Sequence, residues 1–169
     1  RTFPQYLIFK PGMMITGFLL CFYWYKNNFL INYFNNTNFK KNTFMIFGVL
    51  SAIFLLLHSI LLGLETDIKI FKFLRRVVLL GFIIFEIIAQ SLLVVNFYKL
   101  KIKLKNYCNS NILKLKILLV LILIVIGIGS IPILIMSGNV HFKHGLEWNY
   151  FIGVILFYLL THFFWKKHS

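Results

Sequence analysis

The chain has 169 residues, of which 60% are hydrophobic and 18% are aromatic. A soluble domain of this length could not bury that much apolar surface, so the composition excludes an ordinary soluble globular protein. The formal net charge of +14 comes from 18 Lys and Arg residues against four Asp and Glu residues. Because the basic residues lie between apolar stretches, we expect them to contact anionic lipid headgroups, and nucleic acid is not an expected partner.

Five apolar stretches follow one another along the chain, separated by short basic connections. Three of them reach about 20 residues, the length that a helix needs to cross about 30 Å of hydrocarbon. The pattern predicts an all-α fold, a polytopic transmembrane helix bundle of about five spans, in a single domain over residues 1–169. The predicted spans are 12–25, 44–64, 77–98, 115–136 and 148–165.

The first stretch is expected to remain in the mature protein. Aromatic residues at positions 23–25 follow its apolar part without a small-residue cleavage site, which is unlike a cleaved signal peptide. The chain begins at Arg1, so we expect either a processed N-terminus or a fragment of a longer chain. Residues 26–42 form a polar connection, in which the apolar piece 29–34 either extends the first helix, with Lys26 reaching the interface, or lies in the interface itself.

The distribution of Lys and Arg residues predicts the orientation of the spans. Seven lie on the side of the N-terminus and the second and fourth connections, and eleven lie on the side of the first and third connections and the C-terminus. Since the richer side is normally cytoplasmic, the C-terminus is predicted to be cytoplasmic. Six of the eleven are lysines of the third connection, residues 99–116. The adjacent Arg75 and Arg76 on the other side argue for the opposite orientation.

Glu86 is the only acidic residue in the middle of a predicted span. A charged side chain at the bilayer centre costs roughly 3 kcal/mol, so we expect this carboxyl group to be protonated, paired or facing a cavity. Gln90 lies one helical turn later on the same face, in reach of a hydrogen bond to Glu86. The carboxyl group is either a proton carrier, ligand contact or catalytic group, or a structural hydrogen-bonding group between helices.

His58 lies in the second span at a depth that differs from that of Glu86 by about 5 Å, so a contact between them is geometrically allowed. The alternative is a bond from His58 to a backbone carbonyl or a serine of another helix. Haem ligation by His58 and His162 is not expected, because their depths differ by roughly 15 Å. No cofactor is predicted.

The fourth span and the connection after it contribute further polar residues. Ser130 lies among Gly and Pro residues that predict a kink or a close helix contact. His144 and Glu147 precede the fifth span, and because one short segment rarely supplies a closed metal site, we predict a polar cap facing headgroups and no metal. The predicted binding residues of a polar pocket open to the outer leaflet are His58, Glu86, Gln90, Ser130, His144 and Glu147.

The sequence identifies no class of enzyme by motif. It contains no CxxC pair and no GxSxG, HExxH, P-loop or dinucleotide-binding fingerprint. Cys21 and Cys108 are accordingly predicted to be free thiols.

Glu147 and Trp148 open the last span, which is rich in aromatic residues and contains Thr161. In this respect the last quarter of the chain resembles the Frag/DRAM/Sfk family of polytopic membrane proteins, whose final helix typically begins with a Glu-Trp or similar pair. The resemblance implies a bundle of about six spans, against five here. It also implies a role in handling membrane lipids, such as GPI-lipid remodelling, autophagy modulation or lipid asymmetry.

Three functions are compatible with these features. The first is a lipid-handling or lipid-sensing membrane protein that uses the outer-leaflet pocket. The second is an accessory subunit of a larger membrane complex. The third is a proton-coupled transporter using Glu86, which with only five spans would need to form an oligomer. The expected partners are membrane lipids, with other membrane subunits or further copies of the chain as alternatives.

Overall fold

The protein is described from a computed structural model that covers residues 3–35, 42–61, 69–135 and 140–166. Within the helices, the side chains of residues 3–9, 69, 72, 129–135 and 140–148 are outside this description. The described residues form five helices, which are α1 (Phe3–Asn35), α2 (Thr43–Leu61), α3 (Lys69–Lys99), α4 (Ser110–Ile135) and α5 (Val140–Phe164). Each predicted span overlaps one of these helices, with positions 62–64 and 136 outside the described residues, so the predicted all-α fold is confirmed.

Three of the described helices are long and apolar enough to cross a membrane. They are Thr43–Leu61 in α2, Phe73–Lys99 in α3 and Ser110–Ile128 in α4. The apolar part of α5, Asn149–Phe164, is shorter. Many large apolar side chains on these helices are exposed, as expected where the surrounding medium is hydrocarbon. The chain is therefore a membrane protein.

The helices extend further into the polar connections than the hydropathy predicts. α1 continues to Asn35, so the piece 29–34 extends the first helix, which is one of the two predicted alternatives. α4 begins at Ser110 and α5 at Val140, five and eight residues before the predicted spans. The physical reason is that Lys is a good helix former, so polar residues mark the membrane boundary without ending the helix.

The polar end of α1 is helical because its asparagines face inward. Asn28 and Asn32 are buried, and the Oδ1 atom of each accepts a hydrogen bond from Asn42 Nδ2, at 2.9 and 3.0 Å. Asn42 directly precedes α2, and its carbonyl accepts the first bond of that helix from Met45 N. These contacts fix the corner between α1 and α2.

Contacts between Cα atoms divide the chain into two compact units, Arg1–Leu93 (unit 1) and Val94–Ser169 (unit 2), with the boundary inside α3. In unit 1, α1 and α2 pack antiparallel. Trp24 is fully buried against Gly48, and Ser59 donates a hydrogen bond to the carbonyl of Lys10 at the other end of the pair. The prediction of one domain stays a prediction.

In unit 2, the backbone of the segment between α3 and α4 pairs with the backbone at the end of α5. Cys108 and Trp165 form an antiparallel bridge, in which Asn109 N donates to the carbonyl of Phe164 and Lys166 N donates to the carbonyl of Tyr107, both at 2.9 Å. α4 packs on α5, where Leu123 lies against the backbone of Gly153.

We predict that Gly48→Ala destabilises the protein. A Cβ atom at this position would overlap the Trp24 ring, which is fully buried and has no room to move aside, so overpacking should cost about 1–3 kcal/mol. The measurement is thermal unfolding in mild detergent. Gly12→Ala on α1 is the matched control, because a Cβ there meets nothing within 4 Å. An unchanged melting temperature for Gly48→Ala would contradict the described packing of Trp24.

Candidate functional site

The polar centre of unit 1 is Glu86 on α3, which is fully buried. Its Oε2 atom lies 2.6 Å from Ser51 Oγ on α2, and its Oε1 atom accepts a hydrogen bond of 2.9 Å from Gln90 Nε2. Ser51 and Gln90 are also fully buried. The predicted bond between Gln90 and Glu86 is thus confirmed, and Ser51 is a partner that the sequence analysis missed.

The hydrogen-bond donors and acceptors of this cluster match in number when Glu86 is protonated. Ser51 Oγ lies 2.8 Å from the carbonyl oxygen of Gly48 as well as close to Glu86, but a hydroxyl group has one hydrogen to donate. If Glu86 donates its proton to Ser51, then Ser51 donates to Gly48, and Gln90 donates to the remaining carboxyl oxygen. A neutral carboxylic acid also avoids the cost of a charge within a membrane span.

His58 lies on the same face of α2 as Ser51, two helical turns further along. Seven residues correspond to about 10 Å of helix, so α2 presents Ser51 to Glu86 and places His58 well beyond it. The side chains of Ser130, His144 and Glu147 fall outside the described part of the chain. A single pocket that includes all six predicted residues therefore stays a prediction.

Unit 2 contains a buried lysine that the sequence analysis placed wrongly. Lys116 was counted among the lysines of the third connection, at its overlap with the fourth predicted span, whereas it lies inside α4 and is fully buried. Its Nζ atom donates a hydrogen bond of 2.6 Å to Thr161 Oγ1 and lies 4.2 Å from the Phe157 ring centroid and 5.5 Å from that of Phe164. Thr161 in turn donates to the carbonyl of Phe157 at 3.1 Å.

These contacts make a cation cage, which we define as Lys116, Phe157, Thr161 and Phe164. A hydroxyl oxygen and two ring faces are the surroundings that suit an ammonium group without a carboxylate. The spacing of Lys116 from the buried residues of α4 could have revealed the cage. Lys116 follows the buried Leu113 by three residues and precedes the buried Val120 by four. Its position is therefore on the inward face of α4.

Exposed lysines gather at the same end of unit 2. The segment 100–109 turns between α3 and α4 with Leu100, Leu104 and Cys108 buried, while Ile102 is 90% exposed. The lysine rim, as we name it, consists of the exposed residues Lys99, Lys101, Lys103, Lys105, Lys114 and Lys166.

Cys108 lies beneath the lysine rim as a free thiol. Burial raises the pKa of this thiol from 9.0 to about 11, and the nearby charges of Lys166 and Lys116 oppose the rise only in part. The thiol is consequently protonated at neutral pH and unreactive. Among the described residues, no group of three or more His, Cys, Asp or Glu side chains is placed to hold a metal ion.

No protein-family model, curated protein or solved structure matches this chain. The resemblance to the Frag/DRAM/Sfk family therefore stays a prediction.

We predict that Glu86→Gln preserves stability and Glu86→Leu does not. The Gln amide can donate to Ser51 and accept from Gln90, as the protonated acid does, whereas Leu removes the partner of the buried Gln90 amide and one of the two bonds of Ser51, at about 1–3 kcal/mol for the lost partner. Thermal unfolding in detergent measures the difference, with Ile84→Leu on the exposed side of α3 as the control.

The triple variant Glu86→Leu, Ser51→Ala, Gln90→Leu should recover much of the loss, since it removes the partners together. If Glu86→Gln were as destabilised as Glu86→Leu, the carboxyl group would have to be ionised in the folded protein.

Proposed function

We propose that this protein is an integral membrane protein that binds anionic lipids at the lysine rim, as part of a lipid-handling or lipid-sensing role. The observation that carries the proposal is the set of six exposed lysines around the turn between two apolar helices. Clusters of four to eight basic residues beside a span are the usual sequence sign of anionic-lipid binding.

The height of the rim relative to the bilayer follows from the helices that flank it. Phe73–Lys99 and Ser110–Ile128 are both long enough to cross the hydrocarbon, so the segment 100–109 between them lies at a membrane surface. Lysines at that level meet lipid phosphates. Ile102 is 90% exposed in their midst, which suits insertion into the interfacial region.

The charge of the rim is not balanced within its own unit. Residues 94–169 contain one acidic residue, Glu147, which is fourteen residues before Thr161 on α5. That separation corresponds to about 21 Å of helix, so Glu147 is at the far end from the cation cage and the rim. Each surface lysine contributes roughly 1 kcal/mol to attraction towards an anionic leaflet.

Glu86 supports a structural role better than a proton-carrying one. Its bond to Ser51 joins α2 to α3, its bond to Gln90 lies within α3, and both are satisfied without any change of protonation. Transport through Glu86 is therefore not part of this proposal.

We propose that the lysine rim faces the cytoplasm, as the Lys and Arg count predicts. A cysteine introduced by Asn106→Cys should report the side of the membrane on which the rim lies. Asn106 is exposed within the turn, whereas the pKa of Cys108, about 11 against 9.0, should slow maleimide labelling about 100-fold. A membrane-impermeant maleimide should label Asn106→Cys only after the cells are permeabilised. Rapid labelling of intact cells would place the rim outside.

We predict that the purified protein retains anionic lipid selectively. The protein is reconstituted in equal amounts of phosphatidylcholine and phosphatidylglycerol with the same acyl chains, extracted in mild detergent, and its bound lipids are counted by native mass spectrometry. Phosphatidylglycerol should be enriched. Neutralising Lys99, Lys101, Lys103 and Lys105 to Gln should reduce the enrichment at least about fivefold, the effect of losing one contribution of roughly 1 kcal/mol, since 1.4 kcal/mol is a factor of ten.

Replacing the same four lysines with Arg is the matched control, because it keeps the charge and should keep the enrichment. Equal retention of the two lipids by the unchanged protein would make the proposal wrong. Enrichment that survives neutralisation would place the lipid site elsewhere on the protein.

A further inference from the structure

α4 and α5 leave an open groove of about 410 Å³ on the surface of unit 2. Its volume lies in the range of about 300–1,000 Å³ that small-molecule sites occupy. The aliphatic side chains that line it are Leu119, Ile122, Leu123, Ile126, Ile152 and Leu156. The groove is part of the membrane-crossing stretch Ser110–Ile128, so it faces hydrocarbon.

The cation cage lies at one end of this groove. On α4, Lys116 precedes the lining residues Leu119 and Leu123 by three and seven residues, which puts all three on one face of the helix. On α5, Phe157 and Thr161 follow the lining residue Gly153 at steps of four. Leu119 is about 4.5 Å along the helix from Lys116, and Asn149 marks the opposite end.

Positive charge is concentrated at the cage end of the groove. Lys114, an exposed member of the lysine rim, is five residues before Leu119, which puts it about 7.5 Å along α4 at the level of the rim and about 140° around the helix from the groove. Lys116 has a hydroxyl group and two aromatic rings around it, and the one acid of its unit is about 21 Å away along α5. An aliphatic trough with cations at one end is complementary to an amphiphile with an anionic head.

We propose that the groove holds one acyl chain of an anionic lipid whose headgroup is bound at the lysine rim. The chain enters beside Leu119 and Leu156 and runs towards Ile126 and Asn149, a length of seven residues or about 10 Å on each helix. Packing against the groove holds the acyl chain in place, and the exposed lysines of the rim select the headgroup. This inference rests on the proposed function, because it specifies which lipid the rim retains and how.

The experiment uses phosphatidylglycerol with a photoreactive diazirine on one acyl chain, reconstituted with the full chain and mapped by mass spectrometry after photolysis. Label is expected on residues 119–126 and 149–156. The double variant Ile122→Trp, Ile152→Trp fills the groove from two half-exposed positions and should lose most of this label. Leu121→Trp, which is equally exposed on α4 but does not line the groove, is the control and should keep it.

Phosphatidylcholine with the same photoreactive chain is the control for labelling by any lipid that touches the groove, whatever its headgroup. It should label the groove several-fold less than phosphatidylglycerol does, and neutralising Lys99, Lys101, Lys103 and Lys105 to Gln should narrow that difference. Equal labelling by the two lipids would overturn the inference. If phosphatidylglycerol is enriched by native mass spectrometry but labels other residues, the groove assignment is wrong and the proposed function stands. If it is not enriched at all, both are wrong.

Discussion

Polar groups inside a bilayer have no water to bond with, and this constraint governs how the helices of this protein face one another. Glu86 binds Ser51 across two helices of unit 1, and Lys116 binds Thr161 across two helices of unit 2. Since a buried polar group without its partner costs about 1–3 kcal/mol, each pair penalises any sliding or rotation of its helices. Apolar packing alone would oppose sliding and rotation of the helices less strongly, because lipid chains are as apolar as the leucines they would replace.

The two clusters meet the constraint by different chemistry. The acid of unit 1 is accommodated by hydrogen bonds that balance when it is neutral, and the base of unit 2 by the negative faces of two rings. The exposed lysines that the structure describes in unit 2 form the lysine rim, where water can solvate them. The rim thus follows from the same requirement that shapes the interior, because a lysine without a buried partner must lie where its charge is solvated.

The sequence predicted the helices well and the contacts between them poorly. Hydropathy located all five helices, and the period of the helix paired Glu86 with Gln90. Ser51 was missed because no local pattern gives the register between α2 and α3. Lys116 was assigned to a connection because hydropathy treats any lysine as a boundary, although its spacing from Leu113 and Val120 is that of the buried face. The spans on α4 and α5 were predicted to begin after the helices do for the same reason. A contact between His58 and Glu86, which depth alone allows, stays a prediction.

The bridge between Cys108 and Trp165 has a consequence for the order in which the protein is made. Residues 107–109 lie near the middle of the chain, yet their backbone partners are 164–166, which leave the ribosome after α5. During synthesis, α4 can enter the bilayer while the turn before it still lacks these bonds. Lys166, the last member of the rim, arrives together with the bridge. The lysine rim is therefore completed only after α5 has been made, so an incompletely synthesised chain would be in the membrane without the complete rim.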